Sequence, residues 1–550
     1  MWVVDLLVPR IRRLLPIAAA VLSTAALHAA PAFASVTQEA IFQDDNALKA
    51  NPVGTMQTLR DLGVTRVRVN IAWGEIAPSP NSTKEPKGFK ATNPAAYPAA
   101  GWAPYDAIDR AATADGIGVF FTLDAPAPLW AAGSGAPRSA AGYFRDDWEP
   151  SAKQFGYFVK AVGTRYDGSY KPRGSTTALP RINFWSIWNE PNYGYDLGPQ
   201  GVGSRQSIPN SPRLYRGLLD AAWSALQATG HRTRTDRILF GELTPAGENA
   251  WGVFSNMKPG TFLRSLYCVD SNYHELRGSA ASAQGCPTTV AGSRAFRSQN
   301  PALFSASGFA EHPYEEVTPP NEPLHLCGTK LCPGRSDPDF ADLPELPRLA
   351  HTLDRLNAVY GSHTHFPIWD TEYGFRTIPP DPHEGINPTT AAYYMNWAEY
   401  LSYKQPRTYS YSQYVLMDQA PPAYFDTGLI NPDGSLKPGF DAYRMPLFLP
   451  TTTMNSGQQV EVWGGVRPAN YAWLDTGGQT QSVQIQFQAN SAAPWQVIDT
   501  VPITNPKGYF DVHLAFPSSG TVRLAWTYPV GDPLLSGGTV YSRTQSVTVK

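Results

Sequence analysis

Two glutamates, each at the end of a predicted buried strand, have the clearest chemical potential in this sequence. Glu190 ends the apolar run "INFWSIWNE" at 182–190, and the proline behind it stops the strand ladder from continuing. Glu372 comes near the end of a second such run, "FPIWDTEYG" at 366–374. Two facing carboxyl groups, one protonated and one ionised, are what cleavage of a glycosidic bond requires. The chemistry therefore depends on a fold that brings these two side chains to one place.

Eight short apolar runs alternate with amphipathic helical patterns and supply the elements that must position these glutamates. The runs fall at 40–45, 64–73, 118–125, 182–190, 237–243, 305–314, 366–374 and 411–418. This alternation predicts parallel pairing, and eight units predict an α/β fold, a (β/α)8 TIM barrel. A doubly wound open sheet is the alternative, but no Gly-rich phosphate loop follows the first strand. Strands four and seven lie across a barrel's mouth, so we expect Glu190 and Glu372 to face each other there.

The last hundred residues have a different pattern. Residues 451–550 alternate polar and apolar at period two, with Gly, Pro and Asn between the runs. This pattern predicts a small all-β sandwich, whose tryptophans we expect to be mostly core. The predicted organisation is a signal peptide at 1–34, a catalytic barrel at 35–450 and a sandwich at 451–550. Segments near 78–100, 197–210 and 257–303, rich in Pro, Gly and Ser, are expected to be loops.

The N-terminus has the form of an export signal. Three arginines precede the apolar run "LLPIAAAVLSTAALHAA", and "AFA" at 32–34 has the small–x–small form of a cleavage site. Cleavage after Ala34 would leave a chain that begins at Ser35, secreted and without a membrane span. An uncleaved anchor is the alternative, but the run is short for one.

Composition and cysteine usage narrow the class of protein. The chain has 550 residues, a net charge of −2 and no basic block, so nucleic acid is a poor candidate partner. Four cysteines in an exported chain predict two disulfides. Of the three possible pairings, the local one, Cys268–Cys286 with Cys327–Cys332, is favoured because each pair brackets a loop-like stretch. The cysteine spacings fit no zinc pattern, and we expect no metal or other cofactor.

The two glutamate motifs together resemble a known group of enzymes. "WNEPN" on strand four and "TEYG" on strand seven are similar to glycoside hydrolase clan A, the retaining (β/α)8 enzymes, over most of residues 36–450. The resemblance implies that Glu190 is the acid/base and that Glu372 is the nucleophile. It also implies that Asn189 binds the substrate's 2-hydroxyl group.

The same resemblance implies roles for further residues. "EHPY" on strand six supplies His312, which would line the site, and Tyr314, which would hold the nucleophile. Arg68 on strand two, with Arg66 nearby, would support the nucleophile. The clan's tryptophan at the end of strand eight is missing, and Tyr414 or Gln413 is expected in its place.

Strand three also departs from the cellulase-like pattern, since it offers Asp124 and Trp130 in the phrase "LDAPAPLW", which is more similar to family thirty-nine. Trp73 and Trp130 lie near strand ends, where we expect them to stack on sugar as readily as to pack in the core. Glu242, ending strand five, is the main rival carboxylate, and a structural pairing with a cleft arginine is favoured for it. Asp370 shares the face of Glu372, where a buried hydrogen-bonding role is favoured.

The prediction is a secreted, monomeric, retaining glycosidase whose partner is an oligo- or polysaccharide. The main alternative is a non-catalytic glycan-binding protein of the cell surface, which would keep the aromatic rings but need no opposed pair of glutamates. A metal-dependent amidase is a second alternative. It would need a cluster of His and Asp at the strand ends, and His312 is the one histidine that qualifies.

Overall fold

A computed structural model describes residues 38–136, 145–248, 252–322, 337–420, 425–530 and 538–550. The predicted signal peptide and the cysteines Cys327 and Cys332 lie outside these residues.

Eight parallel strands form the barrel that the sequence predicts. Neighbouring strands pair in chain order from β1 to β7, and β8 pairs with β1. The barrel closes between β7 and β8, where Ile368 N–H donates to Arg407 O at 2.7 Å and Tyr409 N–H donates to Ile368 O at 2.9 Å. The strands are β1 Glu39–Gln43, β2 Arg66–Ala72, β3 Gly118–Asp124, β4 Phe184–Ile187, β5 Arg237–Leu243, β6 Gly308–Glu311, β7 Ile368–Asp370 and β8 Ser410–Tyr414.

Helices surround the barrel and pack their apolar faces on it. In the helix Ser211–Ala228, Tyr215, Leu218, Leu219, Ala222 and Leu226 are buried, which is the i, i+3, i+4 spacing of one helical face. Helices of six or more residues in the barrel region are Asp45–Ala50, Pro52–Asp61, Ala99–Asp115, Ala152–Arg165, Ser211–Ala228, Pro259–Leu266, Gly278–Ala283, Val290–Gln299, Leu346–Val359, Pro388–Lys404 and Pro438–Arg444.

A layer of apolar side chains fills the barrel interior below its mouth. Each of these side chains comes from a different strand, and together they form a separate buried cluster inside the barrel. Charged groups above this layer are therefore shielded from water on the lower side. The layer consists of Ile41, Phe120, Phe184, Leu239, Ala310 and Trp369.

The predicted loop at 257–303 is wrong, because this segment contains three of the helices given above. The disulfide Cys268–Cys286 lies within it and confirms that part of the local pairing. Gly, Ser and Pro had indicated a loop, but the apolar face of Pro259–Leu266, which buries Phe262 and Leu263, was enough to fix a helix against the barrel.

The C-terminal region forms the predicted β-sandwich, in which two mainly antiparallel sheets enclose a shared apolar core. A short helix, Ala469–Asp475, interrupts the strands and carries Trp473, which is 47% exposed, whereas Trp463 and Trp526 are core residues. The first sheet consists of β9 Leu447–Phe448, β11 Val460–Gly465 and β14 Tyr509–Leu514. The second consists of β10 Thr453–Met454, β12 Ser482–Gln488, β13 Gln496–Pro502, β15 Gly520–Thr527, β16 Thr539–Tyr541 and β17 Gln545–Val549.

A search of the described residues for membrane-spanning segments found no helix with the necessary length and apolarity.

Candidate active site

The two glutamates meet at the mouth of the barrel. One carboxyl oxygen of Glu190 and one of Glu372 lie within 4.8 Å of each other and of a ring nitrogen of His312. Neither glutamate is in a strand, as β4 ends three residues before Glu190 and β7 ends two before Glu372. The predicted strand 182–190 was therefore too long. Trp188 (φ 68°) and Glu190 (φ 37°) have left-handed backbone conformations, which non-glycine residues adopt mostly where the fold enforces them.

Glu372 is held by a cation and a phenol. Arg68 Nη1 donates to Glu372 Oε1 at 2.5 Å, and Tyr314 OH donates to Oε2 at 3.1 Å. Arg68 is fully buried, and its guanidinium also donates to the side chains of Gln43, Asn189 and Glu242. Arg66, the other arginine considered for this role, instead pairs with Glu39 at 2.7 Å. The support predicted for Arg68 is thus present in the geometry.

Glu190 is linked to a buried histidine. His312 Nδ1 lies 2.8 Å from Glu190 Oε1, and His312 Nε2 lies 2.9 Å from Glu242 Oε2. Although burial opposes a charged ring, the charge of Glu372 and the hydrogen bonds to Glu190 and Glu242 raise the pKa of His312 well above its usual value. Both ring nitrogens face carboxyl oxygens, and in the protonated form that this shift favours the ring donates from both. It lies beneath the cavity rather than on its wall.

Asn189 is fixed from two sides. Its Oδ1 accepts from Arg68 Nη2 at 2.8 Å, and its Nδ2 donates to Asp196 Oδ2 at 2.9 Å. Its backbone N–H donates to Asp124 Oδ1 at 3.0 Å. The side chain lines the cavity with its orientation determined, which suits a residue that must meet a substrate hydroxyl at a fixed place.

A cavity of about 540 Å³ opens above the two glutamates. Tyr314 and Tyr414, both predicted as site residues, line it together with Asn189, Glu190 and Glu372. The sequence reasoning missed several other lining residues, among them Asp45, Asn70, Tyr193, Glu316, Arg376 and Phe425.

A signal for two of the missed residues was present. Asn70 follows Arg68 by two positions in one strand and so shares its face, and Asp45 comes just after β1. Asp45 accepts from Asn70 N–H and from Gln43 Nε2, each at 3.0 Å. Asn70 Oδ1 is a buried oxygen with no hydrogen-bond partner among the described residues, so it is open to a donor from a ligand. The remaining lining residues come from long loops with no such pattern.

Two of the predicted sugar-stacking residues are elsewhere. Trp73 is fully buried and stacks on Phe158 with ring centroids 5.7 Å apart, so its assignment to the site is wrong. Trp130 lines a different cavity of about 440 Å³, beside Arg145, and its indole N–H donates to Pro78 O at 3.0 Å. Both residues lie near strand ends as predicted, but the helix Ala152–Arg165 covers Trp73 with Phe155 and Phe158.

Two aspartates near the mouth have supporting roles. Asp124 does not line the cavity but accepts from the backbone N–H groups of Ala125 and Asn189, and burial raises its pKa to about 7. In the structure its carboxyl group positions Asn189, and the contact with substrate stays a prediction. Asp370 accepts from Ser412 Oγ at 2.7 Å and from Ser412 N–H at 3.1 Å, which confirms the buried hydrogen-bonding role.

Within the described residues, Glu190, His312 and Glu372 also form a group of donor atoms close enough together to hold a metal ion. Both nitrogens of His312 already face carboxylate oxygens, and Arg68 occupies Glu372. The cations that neutralise this cluster are therefore the protein's own side chains.

Comparisons with known proteins give structural but not sequence relatives. No family model matches the sequence, and no curated protein does either.

Solved structures to which the chain is similar include three glycoside hydrolases. A family 39 glycoside hydrolase from Bacteroides cellulosilyticus WH2 is 14% identical with a TM-score of 0.45, covering 88% of this chain and 80% of that one. The endo-beta-1,4-mannanase from Thermotoga petrophila is 12% identical with a TM-score of 0.39, covering 95% and 100%. The family 1 beta-glucosidase from Thermotoga maritima is 16% identical with a TM-score of 0.41, covering 71% and 84%. At these identities and scores, function has to be inferred from the residues at the mouth.

Proposed function

We propose that the protein is a retaining glycoside hydrolase that cleaves O-glycosidic bonds of an oligo- or polysaccharide. The observation that carries the proposal is the pair of glutamates with carboxyl oxygens within 4.8 Å of each other in one cavity. Retaining enzymes need their two carboxyl groups about 5–5.5 Å apart, whereas inverting enzymes need about 6.5–9.5 Å to admit a water molecule. A non-catalytic glycan-binding barrel would have no need for this opposed pair.

The hydrogen-bond partners of each glutamate support the roles that we propose for them. Glu372, between Arg68 and Tyr314, is the ionised group that attacks the anomeric carbon and forms a covalent glycosyl-enzyme. Glu190 donates its proton to the leaving oxygen in the first step. In the second step Glu190 takes a proton from the water that attacks the same carbon and releases the sugar. Asn189, held by Arg68 and Asp196, is placed to bind the hydroxyl next to that carbon.

Two matched variants test these roles with azide as an external nucleophile. In Glu372→Gly the nucleophile is missing, so azide is expected to restore turnover of an aryl glycoside and to give a glycosyl azide of inverted configuration. In Glu190→Ala the glycosyl-enzyme still forms, so azide is expected to give the retained configuration. We expect a loss of about 10²–10⁴-fold for Glu190→Ala and a larger one for Glu372→Gly without azide. Full activity of Glu372→Gly without azide would contradict its role, and NMR of the products distinguishes the two configurations.

We further infer that the sugar in the cavity is neutral. The wall has carboxyl groups from Asp45, Glu190, Glu316 and Glu372. Among the described residues, Arg376 is the cation on the cavity wall. Its guanidinium already lies within 3.4 Å of carboxylate oxygens of Glu316 and of two other acids. A sugar carboxylate would thus meet repulsion with no free partner. Aryl glycosides of neutral sugars are expected to be cleaved and the matching aryl uronides to be inert; a preference for uronides would overturn this inference.

We also infer that the chain is exported. The predicted signal with cleavage after Ala34 supports this, and the disulfide Cys268–Cys286 is compatible with an oxidising compartment. The mass of the exported chain tests it, since an N-terminus other than one near Ser35 would contradict the cleavage site.

A further inference from the structure

A third glutamate, Glu242, lies beneath the two catalytic candidates and is used by neither step of the proposed reaction. The strand β5 ends in an irregularity, where the register against β6 shifts between Gly241 and Leu243. Gly241 (φ 115°) and Glu242 (φ 53°) both have positive φ angles. Bulges of this kind redirect a side chain, and here Glu242 is fully buried under the mouth.

Glu242 is linked to each of the two catalytic candidates through a different cation. Its Oε2 accepts from Arg68 Nη2, and Arg68 Nη1 reaches Glu372. The same oxygen faces His312 Nε2 at 2.9 Å, and His312 Nδ1 reaches Glu190. Despite burial, the charges of Arg68 and His312 lower the pKa of Glu242, so it stays ionised.

The cluster consequently has two cations, Arg68 and His312, and three carboxyl groups, Glu190, Glu242 and Glu372. It is neutral when one of the three carboxyl groups is protonated. Glu242 contacts both cations, and Glu372 contacts Arg68 at 2.5 Å and has His312 at 3.6 Å, whereas Glu190 contacts His312 alone. Of the three carboxyl groups, Glu190 thus has the fewest contacts with the two cations.

Other titratable groups face this cluster from the surrounding strands. Burial raises the pKa of Asp124 to about 7 and the pKa of Glu311 well above its usual range, so both are mainly protonated in acid. Burial also raises the pKa values of Asp45 and Tyr215. Burial likewise raises the pKa of Asp370 to about 7 and the pKa of Asp196 well above its usual range. Glu242, in contrast, has a lowered pKa.

We propose that Glu242 is a positioning residue that keeps the catalytic proton on Glu190 by balancing the charges of Arg68 and His312. The proposal rests on the function proposed above. Without the charge of Glu242, two cations would face two carboxylates, and the cluster would be neutral with Glu190 deprotonated. The acid form would then be lost at a lower pH.

The test is the pH profile of kcat/KM for an aryl glycoside with a poor leaving group, which needs a protonated acid. In Glu242→Gln we expect the alkaline limb to move to lower pH by about one unit or more. Glu242→Asp keeps the charge, so its limb should stay near that of the wild type even though kcat falls. Glu315→Gln is the matched control, since Glu315 is equally buried but accepts from Tyr373 and Leu343, outside the cluster. Its limb should not move.

A second variant predicts the opposite sign and covers the case in which Glu242→Gln does not fold. His312→Gln removes a cation, so Glu190 should keep its proton to higher pH, and the alkaline limb should move upward. A limb of Glu242→Gln that coincides with the wild type overturns the inference while the proposed function stands, and so does a downward shift in His312→Gln. A wild-type chain with no glycosidase activity overturns the proposed function and this inference with it.

Discussion

Two of the buried arginines, Arg68 and Arg467, lie among acidic and phenolic groups, one at each end of the barrel. Arg68 lies at the mouth, and Arg467 lies at the opposite end, between the barrel and the C-terminal sheets. Arg467 pairs with Glu399 at 2.5 Å, and Tyr509 OH donates to the same carboxylate at 2.6 Å. The guanidinium of Arg467 also lies over the ring of Tyr443, 4.2 Å from its centroid.

The two clusters differ in charge balance and in access. At Arg467 one cation meets one carboxylate, and aromatic rings close the space around them. At Arg68 two cations meet three carboxyl groups beneath a cavity of about 540 Å³. An enclosed ion pair with balanced charges exchanges no proton with a substrate. It stabilises the contact between the barrel and the C-terminal sheets. Where carboxyl groups outnumber cations next to a cavity, one carboxyl group can carry a proton and donate it to a substrate, which is what acid catalysis needs.

Disrupting the cluster around Arg467 should lower the stability of the protein and leave its catalytic activity unchanged. Arg467→Met leaves Glu399 buried without its partner, and we expect a loss of about 3–5 kcal/mol in the free energy of unfolding. The value of kcat/KM at a temperature where the variant is folded should be that of the wild type. Urea unfolding measures the first quantity and a standard assay the second.

The double variant Arg467→Met/Glu399→Leu sharpens this comparison, because it removes both charges and should recover most of the stability. Lys49→Met is the control, since Lys49 pairs with the exposed Glu75 and should cost less than about 1 kcal/mol. A drop in kcat/KM for Arg467→Met would mean that the two ends of the barrel are not independent.

Removing a hydrogen bond at the mouth should lower catalytic activity and leave stability nearly unchanged. In free energy this effect should be smaller than the stability loss in Arg467→Met. Tyr314→Phe removes the hydroxyl that donates to Glu372, a hydrogen bond to a charged group worth about 1.5–3 kcal/mol. We expect kcat/KM to fall about 10- to 150-fold, with little change in unfolding. Tyr373→Phe makes the same change one ring away, where the hydroxyl donates to Glu315 instead. Equal losses in the two variants would assign the effect to packing rather than to Glu372.

The strand order and the two glutamates could be predicted from the sequence because both depend on local patterns. Each barrel strand is a short apolar run between helical segments, and parallel strands all end at one rim. Glu190 and Glu372 follow two such runs, so their meeting at the mouth required only the correct number of strands between them. Arg68 and Tyr314 were predictable in the same way, with the help of the family resemblance.

The aromatic residues were less predictable. Trp73 and Tyr414 both lie near strand ends, yet a helix covers the first and a cavity opens beside the second. No local pattern distinguishes these outcomes, because burial of a ring depends on what packs against it from elsewhere in the chain. The helix Pro259–Leu266, one of three helices in the segment 257–303, was missed for a related reason, since its apolar face became decisive only against the barrel.

The sequence by itself determined the barrel, the β-rich unit after it and the identity of the two opposed acids, because periodicity and strand ends are local properties. Only the tertiary structure decided that a third glutamate and a histidine join those acids into one cluster. Glu242 and His312 are seventy residues apart in the chain, and a bulge at the end of β5 turns the glutamate inward. Contacts of this kind arise from packing over long distances in sequence, and the charge balance that sets the site's chemistry arises with them.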